Sequence, residues 1–120
     1  GLAQHQRVWK MESEIAEIID RIRKFRDDRD WQQFHDPKNL AVSLSVESAE
    51  LLQIFLWRDA SEANLEKVKE ELADVFYSAF LLADTYQLDV KQIIFDKLEK
   101  NAAKYPVHKA KGSNRKWDDL

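Results

Sequence analysis

The chain predicts an all-α fold, a bundle of four helices, on three observations. It holds only 2 glycines and 2 prolines in 120 residues, which leaves almost nothing to build hairpins, a dinucleotide-binding turn or a glycine-rich phosphate loop. Its apolar residues recur at three- and four-residue steps instead of alternating. The segments that interrupt those runs are short and polar, as the connections in helical bundles are.

Taken in order, Ile15, Ile18, Ile19, Ile22 and Phe25 give helix one a single apolar stripe from Met11 to about Arg29. The only methionine is Met11, and residues 1–10 before it read as a vector-derived leader. Residues 11–106 are then the helical domain and 107–120 a polar C-terminal tail. The segment from Asp30 to Asn39 breaks the pattern. Asp36 followed by Pro37 is an N-cap with proline at the first helical position, so helix two opens there and runs to about Trp57. After the polar stretch RDASEAN, Leu65, Val68, Leu72, Val75, Phe76, Ala79, Phe80 and Ala83 mark helix three, ending near Tyr86. Asp89 with Gln92 three residues later resembles a capping box and opens helix four, which carries Val90, Ile93, Ile94 and Leu98 and stops at Tyr105-Pro106.

Composition excludes several classes of function. A net charge of −3 is no footprint for duplex nucleic acid. No apolar run reaches membrane length and no hydrophobic N-terminal segment directs secretion, so the expected location is cytoplasmic. With no cysteine, disulfides, thiolate zinc sites and cysteine nucleophiles are all ruled out, and any metal must sit on oxygen or histidine.

Acids stand where the helical pattern asks for leucine. With Leu40 at zero and roughly 100° per residue, Leu44, Leu51 and Ile54 fall within about 40°, and Glu47 and Glu50 lie inside or beside that stripe. An uncompensated buried carboxylate costs several kcal/mol or protonates, so a cation is expected to meet them. Glu71 and Asp74 repeat the i, i+3 arrangement on helix three. Two such helices side by side would gather four carboxylates around one space. An all-oxygen donor set without histidine or cysteine suits Mg²⁺, with Mn²⁺ possible, better than zinc. The alternative for helix three is an ordinary acidic first turn in which Lys67 pairs with Glu71. The opposite face of helix two carries Ala41, Val42, Ala49, Leu52 and Leu56, so it needs apolar neighbours on every side and predicts an oligomer.

Helix four places Lys97 and Asn101 where its stripe should continue, with Lys104 and Tyr105 one turn further. Two ammonium groups, an amide and a phenol along about 10 Å of helix suit a polyphosphate, although a solvated C-terminal turn would also carry lysines. Trp31, Phe34 and His35 sit before helix two and Trp57 just past its end. Such rings could stack on a nucleobase, with His35 or Asn39 reading its polar edge, or simply plug the bundle ends.

The pattern Glu47-x-x-Glu50, twenty intervening residues, then Glu71-x-x-Asp74 resembles the signature of the MazG-like, all-α nucleoside triphosphate pyrophosphohydrolases. DWQQFHDPKNL, the tryptophan after helix two, EELADV, the Lys97, Asn101 and Lys104-Tyr105-Pro106 series and KGSNRKW resemble its dCTP pyrophosphatase branch, over about residues 14–117. That resemblance implies a four-helix, oligomeric fold and magnesium-dependent cleavage of a nucleoside triphosphate, dCTP or a modified dCTP, to monophosphate and pyrophosphate in nucleotide-pool house-cleaning. It also implies dimers or tetramers with sites built between subunits. Carried over by position, Glu47, Glu50, Glu71 and Asp74 would hold the metal, Lys97, Asn101, Lys104 and Tyr105 would contact phosphates, and Trp31, His35, Asn39 and Trp57 would shape the base pocket. One departure stands out. The branch has a tyrosine four residues after the last acid, near the sugar, whereas this chain has Ser78 there and Tyr77 one step earlier, about 100° around the helix. A sugar contact here depends on Tyr77 reaching the pocket. The rival readings are a dUTPase or phosphoribosyl-ATP hydrolase of the same fold, and a non-catalytic helical oligomerisation module.

Overall fold

The structure is a computed structural model that describes the backbone of residues 2–116 and the side chains of residues 14–116. It is helical throughout, with α1 over Leu2–Asp28, α2 over Pro37–Gln53, α3 over Leu65–Thr85, α4 over Val90–Lys104 and a single turn, α5, over Val107–Ala110. Short 3₁₀ turns at Gln32–Phe34 and Ala60–Glu62 occupy the two longer connections. The all-α expectation holds and four long helices follow in the expected order, but α1 begins at Leu2 instead of Met11, so its backbone helix runs through the segment read as a leader. The side chains of the supposed leader and Trp117 of the tail lie outside the described residues.

The chain divides into two compact units, Gly1–Leu88 and Asp89–Leu120. In the first, α2 packs along α3 and α1 leans on α3 more lightly. The start of α2 is set as its sequence dictates: the Asp36 carboxylate accepts the Asn39 N–H at 2.7 Å, and Pro37 follows at the first helical position. Asn64 does the same for α3, its side-chain oxygen accepting from Glu66 N at 3.0 Å and Lys67 N at 3.3 Å. Among the described residues the buried apolar side chains are Leu40, Leu81 and Ala83. Ionic contacts tie α1 to α3. Arg23 Nε donates to both oxygens of Asp84 at 3.0 Å, and Arg26, itself buried, has Asp27 at 2.9 Å and Asp84 at 3.7 Å. Arg23 holds the Asp84 carboxyl below its ordinary range, first by hydrogen bonding and then, with Arg26, by charge, while burial opposes them.

Helix two is shorter than its pattern predicts. Its α-helical ladder ends at Gln53, and Ile54, Phe55 and Leu56 continue in tighter three-residue turns with N–H···O distances of 3.3, 3.0 and 3.3 Å. Trp57 then takes φ +63°, and this left-handed step redirects the chain. The outward face of α2 stays bare, with Val42, Val46, Leu52 and Leu56 all exposed.

In the second unit, Asp89 caps α4 by accepting Gln92 N–H at 3.0 Å. The capping box is half made, because the Gln92 amide turns forward to Asp96 at 2.8 Å instead of back to the cap. α4 closes at Tyr105, whose N–H reaches the Asn101 carbonyl at 2.8 Å, and Pro106 prevents its continuation.

Candidate active site

The packing of α2 on α3 brings the two acid pairs together. Glu47, Glu71 and Asp74 each offer a carboxylate oxygen, and these oxygens all lie within 4.8 Å of one another. Glu47, Glu50 and Glu71 are half-buried and Asp74 is exposed. One oxygen of Glu47 and one of Glu71, Oε2 in each, is buried without a hydrogen-bond partner. Such orphaned oxygens are uncommon and mark a place built for another group.

The electrostatics agree. Burial pushes the Glu47 carboxyl up to about 7, helped by Glu50 and by the charges of Asp74 and Glu71. Glu71 is raised as well, by burial first and then by the charge of Glu50. Like charges converging on one partly dry space are stable as anions only when a cation joins them. Oxygen donors at this separation, with unpartnered lone pairs, fit a hard divalent ion such as Mg²⁺.

Beside the acids lies an open groove of about 900 Å³ between α1 and α3, with Asp74 on its edge. Its walls include Ile18, Ile22, Phe25, Trp31, Tyr77 and Phe80. Phe25 meets both Trp31 and Tyr77 edge to face, with ring centroids 5.7 and 6.0 Å apart. The Tyr77 hydroxyl is buried without a partner. Tyr77 therefore reaches the groove, while Ser78 one step on is buried. Of the five residues expected around the base and sugar, Trp31 and Tyr77 line this groove. His35 and Asn39 do not: the Asn39 amide donates to Asp36 Oδ2 at 3.2 Å and Phe34 O at 3.4 Å, reinforcing the α2 cap. His35 is half-buried, its Nδ1 is unpartnered, and burial together with Arg26 lowers its pKa. Trp57 stands 99% exposed.

Lys97, Asn101, Lys104 and Tyr105 belong to the second unit, in or just past α4, with Asn101 and Tyr105 half-buried and the lysines exposed. The periodicity of helix one assigns Ile18, Ile22 and Phe25 to an ordinary core stripe. In the fold they are groove walls, with Ile18 45% and Phe25 42% exposed. The only hint in the sequence is the aromatic cluster of Phe25 with Trp31 just after the helix.

A second, polar cavity of about 580 Å³ lies on the other side of the acids, lined by Glu50, Glu71, Arg58 and Lys67 among others. Lys67 does not pair with Glu71, as the ordinary-first-turn alternative requires; the ion pair in that turn is Lys69 with Glu66 at 3.2 Å.

A model of the MazG-like family matches residues 42–120. The chain belongs to the MazG-like family. A pyrophosphatase from Archaeoglobus fulgidus superposes with a TM-score of 0.73 at 42% identity, covering 78% of this chain and 93% of that one. Curated relatives include dCTP pyrophosphatase 1 of Mus musculus, 35% identical over 105 residues, and that of Homo sapiens, 33% identical over 105 residues. Each alignment covers 81% of this chain and 62% of the relative, so this MazG-like chain spans less than two thirds of their length. The matched segment contains all four acids. Among the described residues no helix is long and apolar enough to cross a membrane.

Proposed function

We propose that this chain is a magnesium-dependent nucleoside triphosphate pyrophosphohydrolase that takes dCTP or a modified dCTP to the monophosphate and pyrophosphate. The observation that carries the reading is the carboxylate cluster: three acids from two helices within 4.8 Å of one another, two of them with buried, unpartnered oxygens, next to an aromatic groove. The names of the relatives, dCTP pyrophosphatase and pyrophosphatase, support it.

Glu47, Glu71 and Asp74, with Glu50 beside them, would hold Mg²⁺, which when bound neutralises phosphate charge and makes water more acidic. The rest falls to the chain. Trp31 and Phe25 hold the base face to face or edge on, and Tyr77, in the same wall, is assigned to the sugar side. Lys97, Asn101, Lys104 and Tyr105 are assigned to phosphate contact. Glu50, the acid outside the closest trio, takes a proton from the attacking water. Water adds across the phosphoanhydride between the α and β phosphates, and the two products separate with one P–O bond broken and one formed. The groove's apolar walls keep bulk water from the base side of the reaction.

The bare outer face of α2 supports a homo-oligomer, dimer or tetramer, which equilibrium sedimentation measures directly. Pyrophosphate release from a panel of nucleotides with magnesium, and with chelator in its place, tests the activity. Chelation and Glu50→Gln should each abolish turnover while leaving helicity and assembly unchanged. A folded Glu50→Gln chain as fast as its parent would overturn the assignment and leave the helical interaction module as the better reading.

A further inference from the structure

The polar cavity beside the acids is not accounted for by a groove for the nucleoside. It lies against the opposite end of the carboxylate cluster: Asp74 borders the groove, while Glu50 and Glu71 border the cavity. Along α3 the order is Asp74, Glu71, then Lys67 one turn beyond, so about 10 Å of helix runs from groove to cavity. Arg58 enters from the connection after α2. Neither Arg58 nor Lys67 makes a side-chain hydrogen bond or ion pair among the described residues, although three carboxylates, Glu50, Glu70 and Glu71, share their cavity. Asn64, in the same wall, already caps the first amides of α3, so the cavity's remaining positive groups are these two side chains.

We infer that Arg58 and Lys67 form an anion subsite for a pyrophosphate group, taking the terminal two phosphates of the substrate and, after cleavage, the pyrophosphate product. The inference rests on the proposed activity for its occupant. A ligand held by the carboxylates through a divalent ion has an aromatic groove on one side of it and two unpaired cations on the other. That polarity fits a molecule with an aromatic end and a polyanionic end. The guanidinium supplies a planar fork for phosphate oxygens and the ammonium a compact charge.

Calorimetric titration of the full chain with inorganic pyrophosphate, with and without magnesium, tests it. Arg58→Gln with Lys67→Gln should weaken pyrophosphate binding at least about tenfold, because each substitution removes a charge-assisted contact. Deoxycytidine monophosphate should inhibit or bind the variant within twofold of the parent. Arg58→Lys with Lys67→Arg should recover most of the pyrophosphate affinity. Unchanged pyrophosphate binding in the Gln variant overturns the subsite even if the parent hydrolyses triphosphates. Equal losses for pyrophosphate and monophosphate also overturn it, since they indicate a general field effect. A parent that binds pyrophosphate through these residues yet hydrolyses no triphosphate keeps the subsite and sinks the proposed activity instead.

Discussion

Replacing Glu47 by Gln should make the metal-free protein more stable at alkaline pH while removing its response to magnesium. The carboxyl moves from its ordinary 4.5 to about 7 in the fold, so above pH 7 the folded chain carries an anion it tolerates poorly. At 1.36 kcal/mol per unit, a fully sequestered group would contribute about 3 kcal/mol. Solvent reaches the Glu47 side chain in part, which reduces the expected gain to about 1–2 kcal/mol at pH 8. The sign follows from a raised folded-state value. The contribution of Glu47 is complete below its ordinary value and is lost as pH rises through about 7. The parent should therefore weaken between pH 5 and pH 8, and Glu47→Gln should flatten that slope. Urea denaturation followed by circular dichroism, with chelator, at pH 5, 6.5 and 8 measures both effects. Adding magnesium at pH 8 should raise the parent's midpoint and leave the variant's nearly unmoved. If Glu47→Gln lowers stability at pH 8, or leaves the slope intact, the carboxylates do not crowd one another as described.

Asp84→Asn should cost about 3 kcal/mol at neutral pH, because it leaves buried Arg26 with a weaker partner. The parent's Asp84 is held below its ordinary range, so its contribution is present at neutral pH and lost on acidification. The variant should lack that acid limb in a pH series of denaturant midpoints. Leu81→Ala, at a side chain 1% exposed, should cost about 2–5 kcal/mol with kcat per folded molecule unchanged, as read by thermal denaturation alongside pyrophosphate release. Trp31→Ala should raise KM for the nucleotide about tenfold through lost stacking, with a smaller change in kcat. An unchanged KM would place the base elsewhere.

The helices were legible because their caps and stripes are local. Asp36, ahead of Pro37, and Asp89 each accept from the amides their positions imply, whereas the cap at Asn64 emerged only from the fold. The acids were legible for a related reason: Glu47 between leucines contradicts its surroundings unless it serves a site. What could not be read is what depends on three-dimensional neighbours. Nothing local separates Ile22 as a groove wall from Ile22 as core, since both need an apolar residue on the same stripe. Asn39, a plausible reader of a base edge, turns out to bond its own cap three residues back. Lys67 and Glu71 have the right spacing to pair, yet only the geometry of the α3 first turn shows Lys69 taking Glu66 instead. Tyr77 is the reverse case: displaced by one position from the tyrosine of the branch it resembles, it still lines the groove.

The thin interior has a thermodynamic corollary. With Leu40, Leu81 and Ala83 as its buried apolar residues among those described, an isolated copy has little to set against the conformational entropy of its helices. Folding that draws on burial between copies obeys mass action, so the melting temperature should climb with protein concentration and fall on dilution, whereas a self-sufficient monomer would melt at one temperature throughout.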